Sequence, residues 1–112
     1  MSEELLRRAY AAFNGRRIDD ALALMHPDVD WPNAIEGGRL RGHEEVRAYW
    51  ERQLETTHPH VEPEGFEVSG GSVAVDVHQV VRDAEGTVLA DGRVRHVYTI
   101  RDGLIARMEI TD

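Results

Sequence analysis

The 112-residue sequence contains neither cysteine nor lysine. The missing cysteine excludes disulfide staples, thiolate metal sites and a thiol nucleophile. The missing lysine excludes Schiff-base chemistry, and all thirteen basic side chains are arginine. No apolar run approaches the roughly 20 residues of a membrane span, so no membrane partner is expected. The opening residues, Met1-Ser2-Glu3-Glu4, are acidic and lack the basic-then-apolar profile of a secretory signal. No basic stripe is present either. A net charge of −8 repels phosphate backbones, which argues against nucleic acid as a partner. The expectation is a soluble, cytoplasmic protein forming one domain over residues 1–112. That length buries enough surface for one unstapled core.

What is present is periodicity of two kinds. Leu6, Ala9, Tyr10 and Phe13 repeat at helical spacing, and Asn14-Gly15 ends the pattern. A second, short helix is predicted over Ile18–Met25, stopped by His26-Pro27 because a residue before proline avoids helical backbone. Val29-Asp30-Trp31 alternates ahead of Pro32 and reads as a short edge strand. Glu36-Gly37-Gly38-Arg39 reads as a loop. A third helix starts after Gly42 and ends near Thr56, with Val46, Tyr49, Trp50, Gln53 and Leu54 as its buried stripe.

From there the period changes to two. His60–Val68 is a predicted strand with an irregularity at Pro63. Gly70-Gly71 turns the chain into a strand where Val73, Val75, Val77, Gln79 and Val81 share a face. Asp83–Gly86 closes a hairpin into Val88–Arg101, where Val94, His96, Tyr98 and Ile100 share a face. Asp102-Gly103 is a favoured two-residue hairpin turn into Leu104–Ile110. Helices followed by an antiparallel meander imply an α+β domain with the helices on one face of the sheet. Twisted strands of this length curl, and a curled sheet under three helices encloses a cone with a pocket.

Four segments carry a family resemblance. They are Leu5–Asn14, Leu24–Trp31, Leu40–Trp50 with its leading Gly42, and the closing hairpin Tyr98–Met108. Together they resemble SnoaL-like proteins of the nuclear transport factor 2-like, ketosteroid isomerase-like superfamily. The resemblance implies a cystatin-like cone: three N-terminal helices on a curved, mostly antiparallel sheet. It also implies pairing as a homodimer through the convex sheet face, where Val80, Leu89 and Val97 lie among charged residues. Activity does not follow from this fold, which hosts isomerases, cyclases, hydrolases, dehydratases and non-catalytic binding domains.

The resemblance does allow known catalytic sets to be compared residue by residue. For ketosteroid isomerases it aligns Ala9 with the tyrosine donor, Tyr10 lying one residue along. It aligns Trp31 with the base and His96 with the second donor. Alanine and indole cannot take a proton, so that mechanism is not expected. For epoxide hydrolases of this fold the equivalents are Val77, Gln79 and Glu109, of which only Glu109 keeps a carboxylate.

The strand faces instead suggest a set particular to this chain. His96, Tyr98, Gln79, Arg107 and Glu109 would converge inside the cone beside Trp31. A carboxylate-oriented histidine with a phenol donor suits proton abstraction or water activation near neutral pH. His96, Glu109 and Tyr98 are therefore the candidate catalytic residues. Tyr10, Phe13, Trp31, Trp50, Gln79 and Arg107 are the candidate substrate-binding residues. The expected ligand is a small, largely apolar organic molecule, handled without cofactor or metal.

Competing readings remain open at this stage. His96 with Glu109 could be a satisfied structural pair, Arg107 could simply neutralise Glu109, and the aromatic residues could be plain core. The chain could equally be a non-catalytic binding or structural domain. A one-residue register change would exchange the strand faces and place Asp76, His78, Arg93 and Arg95 inside.

Overall fold

The computed structural model describes residues 2–34 and 36–111. Three helices, α1 (Ser2–Asn14), α2 (Ile18–Ala23) and α3 (Gly42–Thr56), accompany six strands. The strands are β1 (Met25–Pro32), β2 (Arg39–Arg41), β3 (Thr57–Ser69), β4 (Ser72–Asp83), β5 (Val88–Arg101) and β6 (Leu104–Thr111). They form one sheet in the order β2-β1-β6-β5-β4-β3, antiparallel throughout except where β1 runs parallel to β6. This is the α+β arrangement that the period change predicts. Among the described residues no helix is long and apolar enough to cross a membrane.

Two features of the first half differ from expectation. Met25 opens β1 rather than closing α2, because it pairs with Ile105 of β6. His26-Pro27 therefore sits inside a strand, where an irregularity between Met25 and Asp30 accommodates the proline. Nor is β1 an edge. Arg39–Arg41, part of which reads as loop, folds back as β2 and covers its outer side through Asp30↔Arg41 and Trp31↔Leu40.

The meander matches its reading more closely. β3 breaks register between Pro63 and Gly65, at the predicted irregularity. At the last hairpin Asp102 and Gly103 both take left-handed backbone (φ 56° and 75°), as the tight two-residue turn requires. The inner face of β4 is Val73, Val75 and Val77, and all three are buried. The opposite face carries cross-strand polar contacts instead: ion pairs from Arg95 to Asp76 (2.7 Å) and Arg93 to Glu64 (2.8 Å), and a hydrogen bond between His78 and Asp91 (2.6 Å). Asp76, His78, Arg93 and Arg95 are thus on the outside, which settles the alternative register.

Helix α1 is held at both a packed face and a polar end. Leu6, Tyr10 and Ala12 are buried against the sheet. At its C-terminus the Asn14 amide acts as a substitute strand for the open edge of β3. Its Nδ2 donates to the Val61 carbonyl (2.8 Å), and its Oδ1 accepts from the Val61 N–H (3.0 Å). These bonds fix where along the sheet Tyr10 and Phe13 lie. Removing both costs about 1–3 kcal/mol, since the part-buried backbone groups lose their partner. Urea unfolding should show that loss for Asn14→Ala. Asn14→Asp should also lose stability, because its carboxylate can accept from Val61 N–H but repels the carbonyl. An Asn14→Asp variant as stable as the parent would contradict the clamp.

Candidate functional site

The cone between helices and sheet holds a cavity of about 110 Å³. Aromatic side chains from helices and strands form one continuous part of its wall. Trp50 of α3 meets Trp31 of β1 edge-on (5.6 Å between ring centres, 89°) and Phe13 of α1 at 5.4 Å. Trp31 in turn lies against Tyr98 of β5 at 6.4 Å. Crossed aromatic contacts of this kind prefer edge-to-face geometry and hold a wall rigid. Among the described residues no Asp, Glu, Lys or Arg lines the cavity.

Its polar centre is a hydrogen-bonded chain of three side chains. The Tyr98 and Tyr10 hydroxyl oxygens lie 2.8 Å apart, and the Tyr10 hydroxyl lies 2.8 Å from Nδ1 of His96. The two rings of Tyr10 and His96 stack at 5.9 Å and 13°. The chain is satisfied in either sense: with Tyr98 donating to Tyr10 and Tyr10 to Nδ1 the neutral ring carries its proton on Nε2, and with the order reversed it carries it on Nδ1. Nε2 has no protein partner among the described residues. Among the described residues no fully buried side-chain nitrogen or oxygen is left unpaired, so Nε2 is not sealed in the core, and His96 lines the cavity.

Burial governs the electrostatics. Desolvation lowers the His96 pKa from 6.5 to about 4, and no carboxylate opposes it. Desolvation also pushes both Tyr98 and Tyr10 well above the usual tyrosine value. At neutral pH all three groups are therefore uncharged. The expectation of an imidazole titrating near pH 7 is overturned, because the carboxylate meant to raise its pKa is elsewhere.

That carboxylate is Glu109, and the correction extends to Arg107. Both project from the outer face of β6. The pairs Thr99↔Arg107 and Ile100↔Ile105 show one extra residue, Ala106, inserted in β6. The bulge flips the side-chain alternation, so that Ile105, Met108 and Ile110 point inward and lie on the cavity wall. Strict alternation from Ile105 would have put Arg107 and Glu109 there instead. On the outside Arg107 donates to Glu109 (2.6 Å) and to Asp30. Burial acts to raise the Asp30 pKa, but the hydrogen bond from Arg39 and the charges of Arg39, Arg107 and Arg41 hold it below the usual carboxylate range. The Arg107 hydrogen bond likewise lowers the pKa of Glu109.

The remaining predicted residues reach the cavity: His96, Tyr98, Tyr10, Phe13, Trp31, Trp50 and Gln79 all line it. Sequence reasoning cast Tyr10 as an apolar wall and missed its hydroxyl as the link between Tyr98 and His96. It also read Gln53 only as core. Helical spacing from Trp50 and Tyr49 marks Gln53 as inward, and a polar residue on such a stripe was the available signal.

The chain belongs to the SnoaL-like domain family, whose model matches residues 6–108. Among solved structures it is similar to TerC co-crystallised with polyporic acid, at 31% identity and a TM-score of 0.86, covering 97% of this chain and 89% of that one. It is also similar to a nuclear transport factor 2-like protein of unknown function from Burkholderia pseudomallei, at 26% identity and a TM-score of 0.87, covering 98% and 89%. An epoxide hydrolase from Mycobacterium tuberculosis shares the fold at 16% identity and a TM-score of 0.82, covering 97% and 80%. No curated protein matches the sequence.

The buried histidine has a stability consequence. The unfolded chain takes up a proton on this imidazole near pH 6.5, and the folded chain only near pH 4. Between these values the unfolded state binds more protons, so stability is complete above about pH 6.5 and falls as pH drops towards 4. Below that the contribution is flat, after a loss on the order of 3 kcal/mol. Urea unfolding of the parent and of His96→Gln from pH 7.5 to 4 should show the parent losing its advantage across that window. A parent-minus-variant difference independent of pH would contradict a neutral buried imidazole.

Proposed function

We propose that the protein binds a small, uncharged, largely apolar organic molecule in the cone, with the Nε2–H of His96 donating to its one central oxygen. The observation that carries this is the Tyr98–Tyr10–His96 chain, which ends on an unpaired ring nitrogen inside a largely apolar chamber with several aromatic walls. Such chambers with a few converging polar groups are the usual form of small-molecule sites. The volume suits a molecule of about one ring, since a dry engineered cavity of about 150 Å³ accepts benzene. The co-crystal of TerC with polyporic acid supports an organic ligand in a relative at this identity.

We further propose that turnover, where a substrate allows it, is cofactor-free acid–base chemistry of the isomerase, cyclase or hydrolase kind. His96 is the proton-transfer residue. With its proton on Nε2 it is a neutral donor to a carbonyl oxygen. Reversing the hydroxyl chain, with Nδ1–H donated to Tyr10 and Tyr10 donating to Tyr98, frees the Nε2 lone pair to accept a proton from carbon or water. Tyr10 and Tyr98 set which of these states the ring presents. Glu109, on the outer face, has no part in it.

A non-catalytic binding role is the second reading. It is favoured by a cavity wall without a carboxylate among the described residues and by the low basicity of His96, which leave no strong base there.

Acetophenone, a one-ring ketone, tests both. Titration with tryptophan fluorescence as readout should show saturable binding, weakened roughly tenfold (~1.4 kcal/mol) by Tyr10→Phe and by His96→Gln, and unaltered by Glu109→Gln. In D2O the parent should accelerate deuterium exchange into the acetophenone methyl group, followed by proton NMR, and His96→Gln should not. Binding without accelerated exchange would leave the second reading. Binding indifferent to both Tyr10 and His96, or none at all, would refute the site.

A further inference from the structure

We infer that the ligand of this cavity is two-ended, with an uncharged polar tail held at the mouth by the side-chain amides of Gln53 and Gln79. This deepens the reading above and rests on it. Gln53 stands on the last turn of α3 and Gln79 on the inner face of β4, and both line the cavity. They come to the same end of it. α3 runs directly into β3, where Val61 is the register partner of Gln79. Pro59 and Val61, just beyond the helix, line the wall between them.

Both glutamines are partly exposed, whereas Tyr10, His96 and Tyr98 are buried. This gives the chamber a deep polar point and a shallow one. Gln79 pairs with Gly92, four residues from His96 along β5, or about 13 Å at the rise of an extended strand. The side chains reaching inward from each end shorten that span to the length of a substituted ring.

Neither glutamine amide has a protein hydrogen-bond partner among the described residues. An amide offers two donors and an acceptor at once, without charge. Among the described residues no cation lines the cavity, so a carboxylate tail would sit at the mouth without a counter-ion, whereas a carboxamide or hydroxyl tail would not suffer that penalty.

Gly92 shows where this end of the chamber opens. It lies directly across from Gln79, is exposed and stands outside the cavity wall. A Cβ built there meets no atom within 4 Å, and its backbone is outside the left-handed region. A larger residue would therefore fit the strand without strain and stand over the opening beside the amide.

Three one-ring probes separate the possibilities: acetophenone, 4-acetylbenzamide and 4-acetylbenzoate, titrated at pH 7. The amide should bind at least tenfold more tightly than the carboxylate and several-fold more tightly than acetophenone. Replacing both glutamines (Gln53→Leu with Gln79→Leu) should erase the amide's advantage over acetophenone, read as the ratio of the two affinities within the variant. Gly92→Val should weaken the amide about tenfold more than acetophenone, with the melting temperature preserved. Equal affinity for amide and carboxylate, or an advantage that survives both the double variant and Gly92→Val, would overturn the two-ended ligand while leaving the His96 end intact. No binding of acetophenone in the parent would overturn the cavity reading and this inference with it.

Discussion

One contact joins the two halves of the molecule at its chemical centre: the hydrogen bond from Tyr10, on the first helix, to His96, on the fifth strand. A buried imidazole nitrogen without a partner would cost several kcal/mol, so the helix must sit where its hydroxyl reaches the ring. That requirement propagates outward. Asn14 pins the same helix to the edge strand, and Leu6 and Ala12 fill the surface beneath it. Tyr98 completes the chain from the neighbouring inward position of the same strand. With both hydroxyls and Nδ1 joined in one chain, the deep end of the interior is polar yet free of charge.

The absence of charge inside is matched by its concentration outside. Arginine and carboxylate side chains alternate over the convex face of the sheet, in pairs worth little individually to stability. Their arrangement has a topological effect: one face of each strand is strongly polar, so register is tightly specified. In β6 a departure from simple alternation decides what the cavity contains. There the single bulged residue, Ala106, sends Arg107 and Glu109 out to Asp30 and brings Met108 and Ile110 in. A cone with a carboxylate at its heart becomes a neutral aromatic chamber by the insertion of one alanine.

This is also the limit of what the amino-acid pattern discloses. The period change near residue 57, the Asp102-Gly103 turn and the inward set of β4 and β5 were legible because each is a local, repeating signal. So were the aromatic walls, since Trp31, Trp50 and Phe13 lie on inward-facing positions. The bulge was not legible: Leu104-Ile105-Ala106 is an apolar run in which any one residue could be the extra one. β2 was hidden too, being three residues whose strand character comes wholly from pairing with β1. The role of Tyr10 required knowing that helix α1 faces β5, a contact between residues 86 apart in sequence. Periodicity carries no information on such distances.

The central proposal is that His96 is a neutral imidazole accepting at Nδ1 and offering Nε2–H to the cavity. Nitrogen-15 NMR of histidine-labelled protein reads both the protonation state and the tautomer of this ring directly. The account predicts a single Nε2–H tautomer from pH 8 to pH 5, with protonation setting in only near pH 4. An imidazolium at pH 6, or a ring protonated on Nδ1 in the free protein, would contradict it.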